Sequence, residues 1–477
     1  MRNLVCRVLF LSVLVPVGLA ASAQETEDLP PGVALDETAP RWCMDRFGGN
    51  STASHVHAAT PPVLRVEPEL TPDPTVMKII DELDDNQSAW LPKKNVVGDF
   101  NAFLKRHKHD VTGPRTRNYC YKWVWAADRK RALFCGGNAG VPHKINDVWE
   151  YDLASNTWVL LWEPDPDTNR VRHMSEQETK SYLDQFVTVD KETGEIMTRR
   201  GAPFDPVHTW WALTYDPELH AMLWVMGNHH LHNKFLELNP DLRQDYRLGG
   251  FHEMRLWAYY PFDHEWEFMK PPEGLKKSPA AILEYIPELG GSYYFTETHR
   301  QSGVFNSKTK QWEWQQVARS KDQYKQRGTM PYREAVAAYD SANKILVVHH
   351  GGKYPQDPPV VKHTYHYDVT YGTWEKVLST PEAPPGRDGV SPMTYDSVSG
   401  NCFISINMSE ERARRGGYST KLNGLWAYTT KEKTWTRLTP DGPPSPGGMA
   451  CYNPEHNVLM IDPGGEAVWI YRCKRRK

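Results

Sequence analysis

Gly-Gly, Tyr-Asp and Trp return in a fixed order along this 477-residue chain, and that order limits the fold more than any other feature. An apolar stretch ends at Cys135-Gly136-Gly137, an alternating stretch ends at Tyr151-Asp152, and Trp158 opens the next stretch. The same order returns as His350-Gly351-Gly352, Tyr367-Asp368 and Trp374. Shorter copies are Leu256 to Tyr259 with Trp266, Val304-Phe305 with Trp312, and Leu425 to Tyr428 with Trp435; Ala467 to Tyr471 is a partial one. A second marker precedes the copies at Tyr215-Asp216, Tyr285, Tyr339-Asp340, Tyr395-Asp396 and Tyr452-Asn453, with the last four separated by 54, 56 and 57 residues. Four short alternating strands per period describe one blade of a β-propeller, and a blade buries both faces only by stacking radially against others.

These motifs resemble the kelch repeat, including the central propeller of galactose-oxidase-like secreted proteins, over roughly residues 117–473. The resemblance implies an all-β, kelch-type β-propeller. Six four-stranded blades are expected, starting near Arg117, Pro206, Ser278, Tyr332, Arg387 and Gly447; a seventh inside residues 24–116 is the alternative. The sixth unit ends four residues after its third strand, so its outer strand must come from elsewhere or leave a sheet edge open. Residues 24–116 offer Arg41-Trp42-Cys43-Met44 and Ala89-Trp90-Leu91. Trp42 is preferred, because Cys43 would then stand beside Cys473 and clasp the ring. Helical spacing predicts short helices over Val76–Leu83 and Phe100–Leu104.

Arg2 and Arg7, the apolar run Val8 to Leu19 and the small residues Ala21-Ser22-Ala23 read as a signal peptide over 1–23, cleaved after Ala23. A secreted or periplasmic protein without a membrane span follows as the expectation. Six cysteines remain as disulfide candidates: Cys43, Cys120, Cys135, Cys402, Cys451 and Cys473. The balance of 56 Lys+Arg against 59 Asp+Glu argues against a nucleic-acid partner, whose phosphates call for a basic surplus.

Gly-Gly ends the second strand of a blade, so the loop after it opens on the same face as the connection into the next blade. Three long insertions fall on that face: 162–204, 228–254 and 407–423. It also collects the candidate groups. His208 and His230 are the candidate bases, Tyr354 the acid, and Arg333 and Arg387 the partners of a carboxylate. Candidate ligand-binding residues are His143, His229, His232, Glu297, His299, His349, Lys353 and Asp388. His366, Trp123, Trp125, Trp210 and Trp211 read as packing. In an extended strand only His230 and His232 of their run share a side, so a divalent metal there needs a third ligand from another blade. No motif specifies a cofactor.

Two functions fit this inventory. The first is a secreted binding propeller for an extracellular ligand, a carbohydrate before a protein. The second is a polysaccharide lyase acting on uronic-acid polymers through His/Tyr acid–base elimination. A copper radical oxidase is disfavoured, because no Cys, Tyr and His converge. Whether the chain is an enzyme stays open at this level.

Overall fold

Each repeat becomes one antiparallel sheet, and the repeat markers become cross-strand partners. Strands are labelled A to D from the axis to the rim. Blade 1 uses Val124–Ala126, Arg131–Cys135, Val148–Asp152 and Thr157–Trp162. Blade 2 uses Leu213–Asp216, Ala221–Gly227, Met254–Tyr260 and Glu265–Met269. Blade 3 spans Ile282–Gln315, blade 4 Val336–Val377, blade 5 Thr394–Leu438, and blade 6 starts at Met449. The computed structural model describes residues 68–98, 114, 122–136, 146–165, 171, 173–206, 211–227, 230–244, 254–272, 274–276, 281–296, 301–315, 335–351, 362–377, 383–384, 391–415, 419–438 and 448–476.

The sheets close into a ring of six. Strand A of every blade touches strand A of both neighbours, and blade 6 returns to blade 1. An apolar cluster fills each junction: Leu213, Trp224 and Trp257 with Val159 between blades 1 and 2, and Phe403, Ala427, Leu459 and Trp469 between blades 5 and 6 are two examples. Within five blades the Trp that opens strand D lies opposite an aromatic of strand C. The pairs are Tyr151–Trp158, Tyr259–Trp266, Phe305–Trp312, Tyr367–Trp374 and Tyr428–Trp435. Their ring centroids lie 5.0 to 5.4 Å apart, within the range where aromatic pairs attract.

Blade 6 is completed from the N-terminal side, as its missing strand requires, but not by Trp42. Gln87–Trp90 pairs antiparallel with Trp469–Arg472, in the register Ser88 to Tyr471 and Trp90 to Trp469. The expected Trp42 strand is therefore corrected to the Ala89-Trp90 alternative. The reason is local: helix α1 (Pro74–Glu82), capped at Asp73, buries Val76 and Ile80 against the junction of blades 6 and 1 and delivers the chain to that edge. Next, Asn95–Val97 adds a fifth, parallel strand to blade 1. Lys94 Nζ meets the fully buried Asp462 at 2.6 Å, and Asp462 also accepts from the indole of Trp158 at 3.2 Å. The clasp is thus ionic and β-sheet in nature.

The disulfide expectation is corrected for the cysteines that are described. No bridge joins any two of Cys135, Cys402, Cys451 and Cys473, and Cys473 is a free thiol. Cys43 and Cys120 lie outside the described residues, as do residues 1–23 and the expected helix Phe100–Leu104. Among the described residues no helix is long and apolar enough to cross a membrane.

Side chains from non-adjacent blades meet in the ring. Lys122, just before strand A of blade 1, reaches past blade 2 to the carboxylate of Glu284 in blade 3 and to the carbonyl of Leu283 at 2.9 Å. Burial pushes the Lys122 amine down and the Glu284 carboxyl up, while their mutual attraction opposes both shifts. Trp211, leading into strand A of blade 2, joins the apolar cluster of blades 4 and 5.

Candidate functional site

The face with the B–C loops and the connections between blades carries a small cap built from two insertions. The first contributes α2 (Glu176–Phe186) and a hairpin of Val187–Val189 with Ile196–Thr198. Ser175 caps α2 and Glu178 returns the bond, a reciprocal capping box. The second contributes α3 (His230–Leu238). Leu183, Phe186 and Ile196 from one insertion pack with Leu231, Phe235 and Leu236 from the other. Lys180 Nζ to Asn239 at 2.6 Å and Lys234 Nζ to Glu176 at 2.7 Å bridge the two insertions. The third insertion holds a short helix, α4 (Glu410–Arg415).

A buried ion pair holds this cap on blade 2. The guanidinium Nε of Arg255, on strand C, lies 2.9 and 3.0 Å from the two carboxylate oxygens of Glu195 in the hairpin. Both side chains are excluded from solvent.

The roots of the first insertion meet in a polar knot. The outgoing root is Trp162-Glu163-Pro164-Asp165. Each acid precedes a proline, which biases both to extended backbone, and at a spacing of two their side chains share a side. The returning root brings Arg200, which donates to the Glu163 carbonyl at 2.9 Å and lies 3.4 Å from the Asp165 carboxylate. Its guanidinium stacks 4.2 Å from the Trp162 ring centre. Asn146 of blade 1 closes the knot. Its amide donates to Asp165 at 2.8 Å and to the Pro203 carbonyl at 3.0 Å, and its Oδ1 accepts from the Asp165 N–H at 2.9 Å.

Glu163 differs from its neighbours. Its carboxyl is buried, and its Oε1 has no hydrogen-bond partner. Burial pushes its pKa up to about 8; Arg200 opposes the rise and Asp165 adds to it. At neutral pH it is a carboxylic acid, able to donate as well as accept, beside an Asp that is fully hydrogen-bonded within the knot.

Of the residues expected from sequence, the structure describes few. His208, Tyr354, Arg333, Arg387, His143, His229, Glu297, His299, Lys353 and Asp388 lie outside the described residues. His230 and His232 fall on α3 rather than on a strand. A helix turns positions two apart by about 200° around its axis, so the shared side expected for a strand does not arise. The His232 ring is fully buried, stacked on Phe204 at 5.2 Å, with Nε2 3.0 Å from the Phe204 carbonyl. His349 is also fully buried, between Thr364 at 3.0 Å and the Pro384 carbonyl at 2.9 Å. Both rings sit in protein contacts. His366 meets the Tyr428 hydroxyl at 2.8 Å, matching its reading as a structural residue. Among the described residues no group of three or more His, Cys, Asp or Glu is placed to hold a metal ion.

The knot residues Asn146, Trp162, Glu163, Asp165 and Arg200 were not singled out from sequence. The signal available was the Trp-Glu-Pro-Asp-Pro run at the root of an insertion: two acids locked extended by prolines where a strand ends. Arg200 carries no such signal, because it meets Asp165 only after the insertion folds back. The knot also ties the anchor of the His143 loop, Asn146, to Pro203, which leads towards His208.

No protein-family model matches the chain, and no curated protein matches it. Among solved structures, a chain of the mitotic checkpoint complex is similar at 7% identity and a TM-score of 0.40, over 86% of this chain and 98% of that one. A GH74 xyloglucanase from Xanthomonas campestris is similar at 12% identity and a TM-score of 0.39, over 74% of this chain and 44% of that one. Likenesses this remote bear on neither substrate nor reaction, and the propeller stands on its own six sheets.

Proposed function

We propose that this chain is an exported kelch-type propeller that holds an extracellular carbohydrate on the face bearing the joined insertions. One observation carries the reading: two insertions, separated in sequence by strands A and B of blade 2, share one apolar core on that face, and a polar knot ties the roots of the first. A rigid scaffold with elaboration concentrated on one face is the usual arrangement of a binding surface. The near-neutral balance of 56 Lys+Arg against 59 Asp+Glu suits a neutral, hydroxyl-rich ligand better than a polyanion, which would call for a surplus of cations. Export through the leader at 1–23 belongs to the same proposal.

The test is a thermal-shift and ultraviolet-absorbance screen of the mature protein against neutral and acidic polysaccharides, with and without divalent metals. A raised melting temperature without new absorbance supports carbohydrate binding. Rising absorbance from unsaturated uronides replaces it with elimination chemistry. Silence in both assays overturns the carbohydrate reading in favour of a protein ligand.

A further inference from the structure

The face opposite the cap, where the A–B and C–D turns emerge, carries a cluster that the repeat does not require. Phe262, in the C–D turn of blade 2, is 52% exposed, one of four large apolar side chains exposed among the described residues. At the same distance before the Trp of strand D, blades 1, 3, 4 and 5 have Ala154, Lys308, Thr370 and Lys431. His220 closes the A–B turn of the same blade at a φ of 54°, a left-handed position that Lys, Gly or Asn fills in the other five blades. The turn therefore does not call for an imidazole, and the part of the Phe262 ring left in water adds nothing to stability.

Both exposed rings are held in place. The Arg129 guanidinium lies 4.8 Å from the Phe262 ring centre and bonds the buried Glu150 at 3.0 Å, so the ring rests on a fixed cation. The His220 ring stands edge-on to it, 6.3 Å away. His220 Nδ1 donates to Asp128, whose other carboxylate oxygen accepts from the Tyr215 hydroxyl. A carboxylate only accepts, so Nδ1 carries a hydrogen and Nε2 is the nitrogen left for another molecule. The His220 side chain is 62% exposed, and among the described residues Nε2 has no partner.

We propose that Phe262 and His220 form a surface subsite for one unit of a neutral saccharide, its apolar C–H face on the phenyl ring and a hydroxyl bonded to Nε2. An exposed aromatic face beside a fixed hydrogen-bonding nitrogen matches the mixed surface of a pyranose. One aromatic is too little apolar area for a protein partner, since stable interfaces bury about 800 Å² per side around several anchors. Glu218 and Asp263, exposed in the same two turns, oppose a polyanion. The subsite rests on the carbohydrate reading for its class of ligand and places a second contact on the other face of the ring.

Affinity electrophoresis of the mature protein tests this, through gels containing a neutral β-glucan, a β-mannan, a xylan or a polygalacturonate. Phe262→Thr and His220→Asn install residues that other blades use in these turns, and urea midpoints near that of the wild type show them folded. With a neutral polysaccharide that retards the wild type, Phe262→Thr is expected to bind about tenfold and His220→Asn about fivefold more weakly. Phe262→Trp, which keeps a ring on Arg129, is expected to bind as the wild type does. Retardation that neither Phe262→Thr nor His220→Asn changes overturns the subsite alone and leaves the ligand to the cap face. Retardation by polygalacturonate only does the same. No retardation of the wild type by any gel overturns the carbohydrate reading and the subsite with it.

Discussion

Tyr471 stands opposite Ser88, in the one blade where no tryptophan opens strand D, and donates its hydroxyl to Asn86 Oδ1 at 2.8 Å. In the other five blades the equivalent aromatic of strand C packs against a Trp. The ring closure therefore replaces an aromatic pair by a hydrogen bond to the incoming N-terminal segment. Tyr471→Phe should cost about 1 kcal/mol, the net worth of one hydrogen bond, whereas Ser88→Pro, which forces proline into the closing strand, should cost more. Urea denaturation measures both. Equal stability of Ser88→Pro and wild type contradicts the closure by Gln87–Trp90.

The ion pair across the axis makes a second case. Lys122→Met leaves the Glu284 carboxyl buried without its cation and should lose about 3–5 kcal/mol. Adding Glu284→Leu should recover most of that loss, since a buried pair is replaced by apolar atoms. A double-mutant cycle with no coupling between the two positions refutes a direct pair.

The cap should respond separately from the ring. Arg255→Met strands Glu195 in the hairpin, and the expected result is faster hydrogen exchange in Val187–Thr198 and α3 while blades 4 and 5 exchange as before. Uniform acceleration over all six blades shows that the cap is not an independent unit.

The buried His366 predicts a pH dependence. Burial holds its imidazole down at about 4, with Lys433 adding to the drop and Glu375, Asp340 and Asp368 opposing it. The unfolded chain, titrating near 6.5, binds the proton first, so stability is full above about pH 6.5 and declines as pH falls towards 4. His366→Gln should flatten that acid limb in a series of urea melts. An unchanged limb assigns it to other groups.

Burial also raises the thiols of Cys402 and Cys451, which lie inside blades 5 and 6. Alkylation of the native protein at pH 8 should spare both, and alkylation after denaturation without reductant should label both. A peptide map that finds either one in a disulfide contradicts this arrangement.

The blade count and the pairing of Tyr with Trp were legible because they are local. Strands of period two, a turn and an aromatic at a fixed offset decide a sheet from within about sixty residues of chain. Which segment lends blade 6 its outer strand was not legible. Trp42 and Trp90 look alike as strand starts, and the choice fell to α1 packing Val76 and Ile80 beside blade 6.

The candidate site divides in the same way. Sequence read alone marked the face, since strand order dictates where the loops emerge, and it picked out histidines by their chemistry. It took the His229 to His232 run of the 228–254 insertion as extended chain, although apolar residues at Leu231, Phe235 and Leu236 make that segment a helix once α2 offers a surface to cover. The residues that met in the knot and at the axis are distant in sequence: Asn146 with Pro203, Lys122 with Glu284, Glu195 with Arg255. What the sequence by itself determined was an all-β ring of repeated blades with one elaborated face, because periodicity and turn chemistry act over short range. Tertiary structure alone decided which strand closes the ring and which charges are buried together, because burial and pairing energies exist only once distant segments have left water side by side.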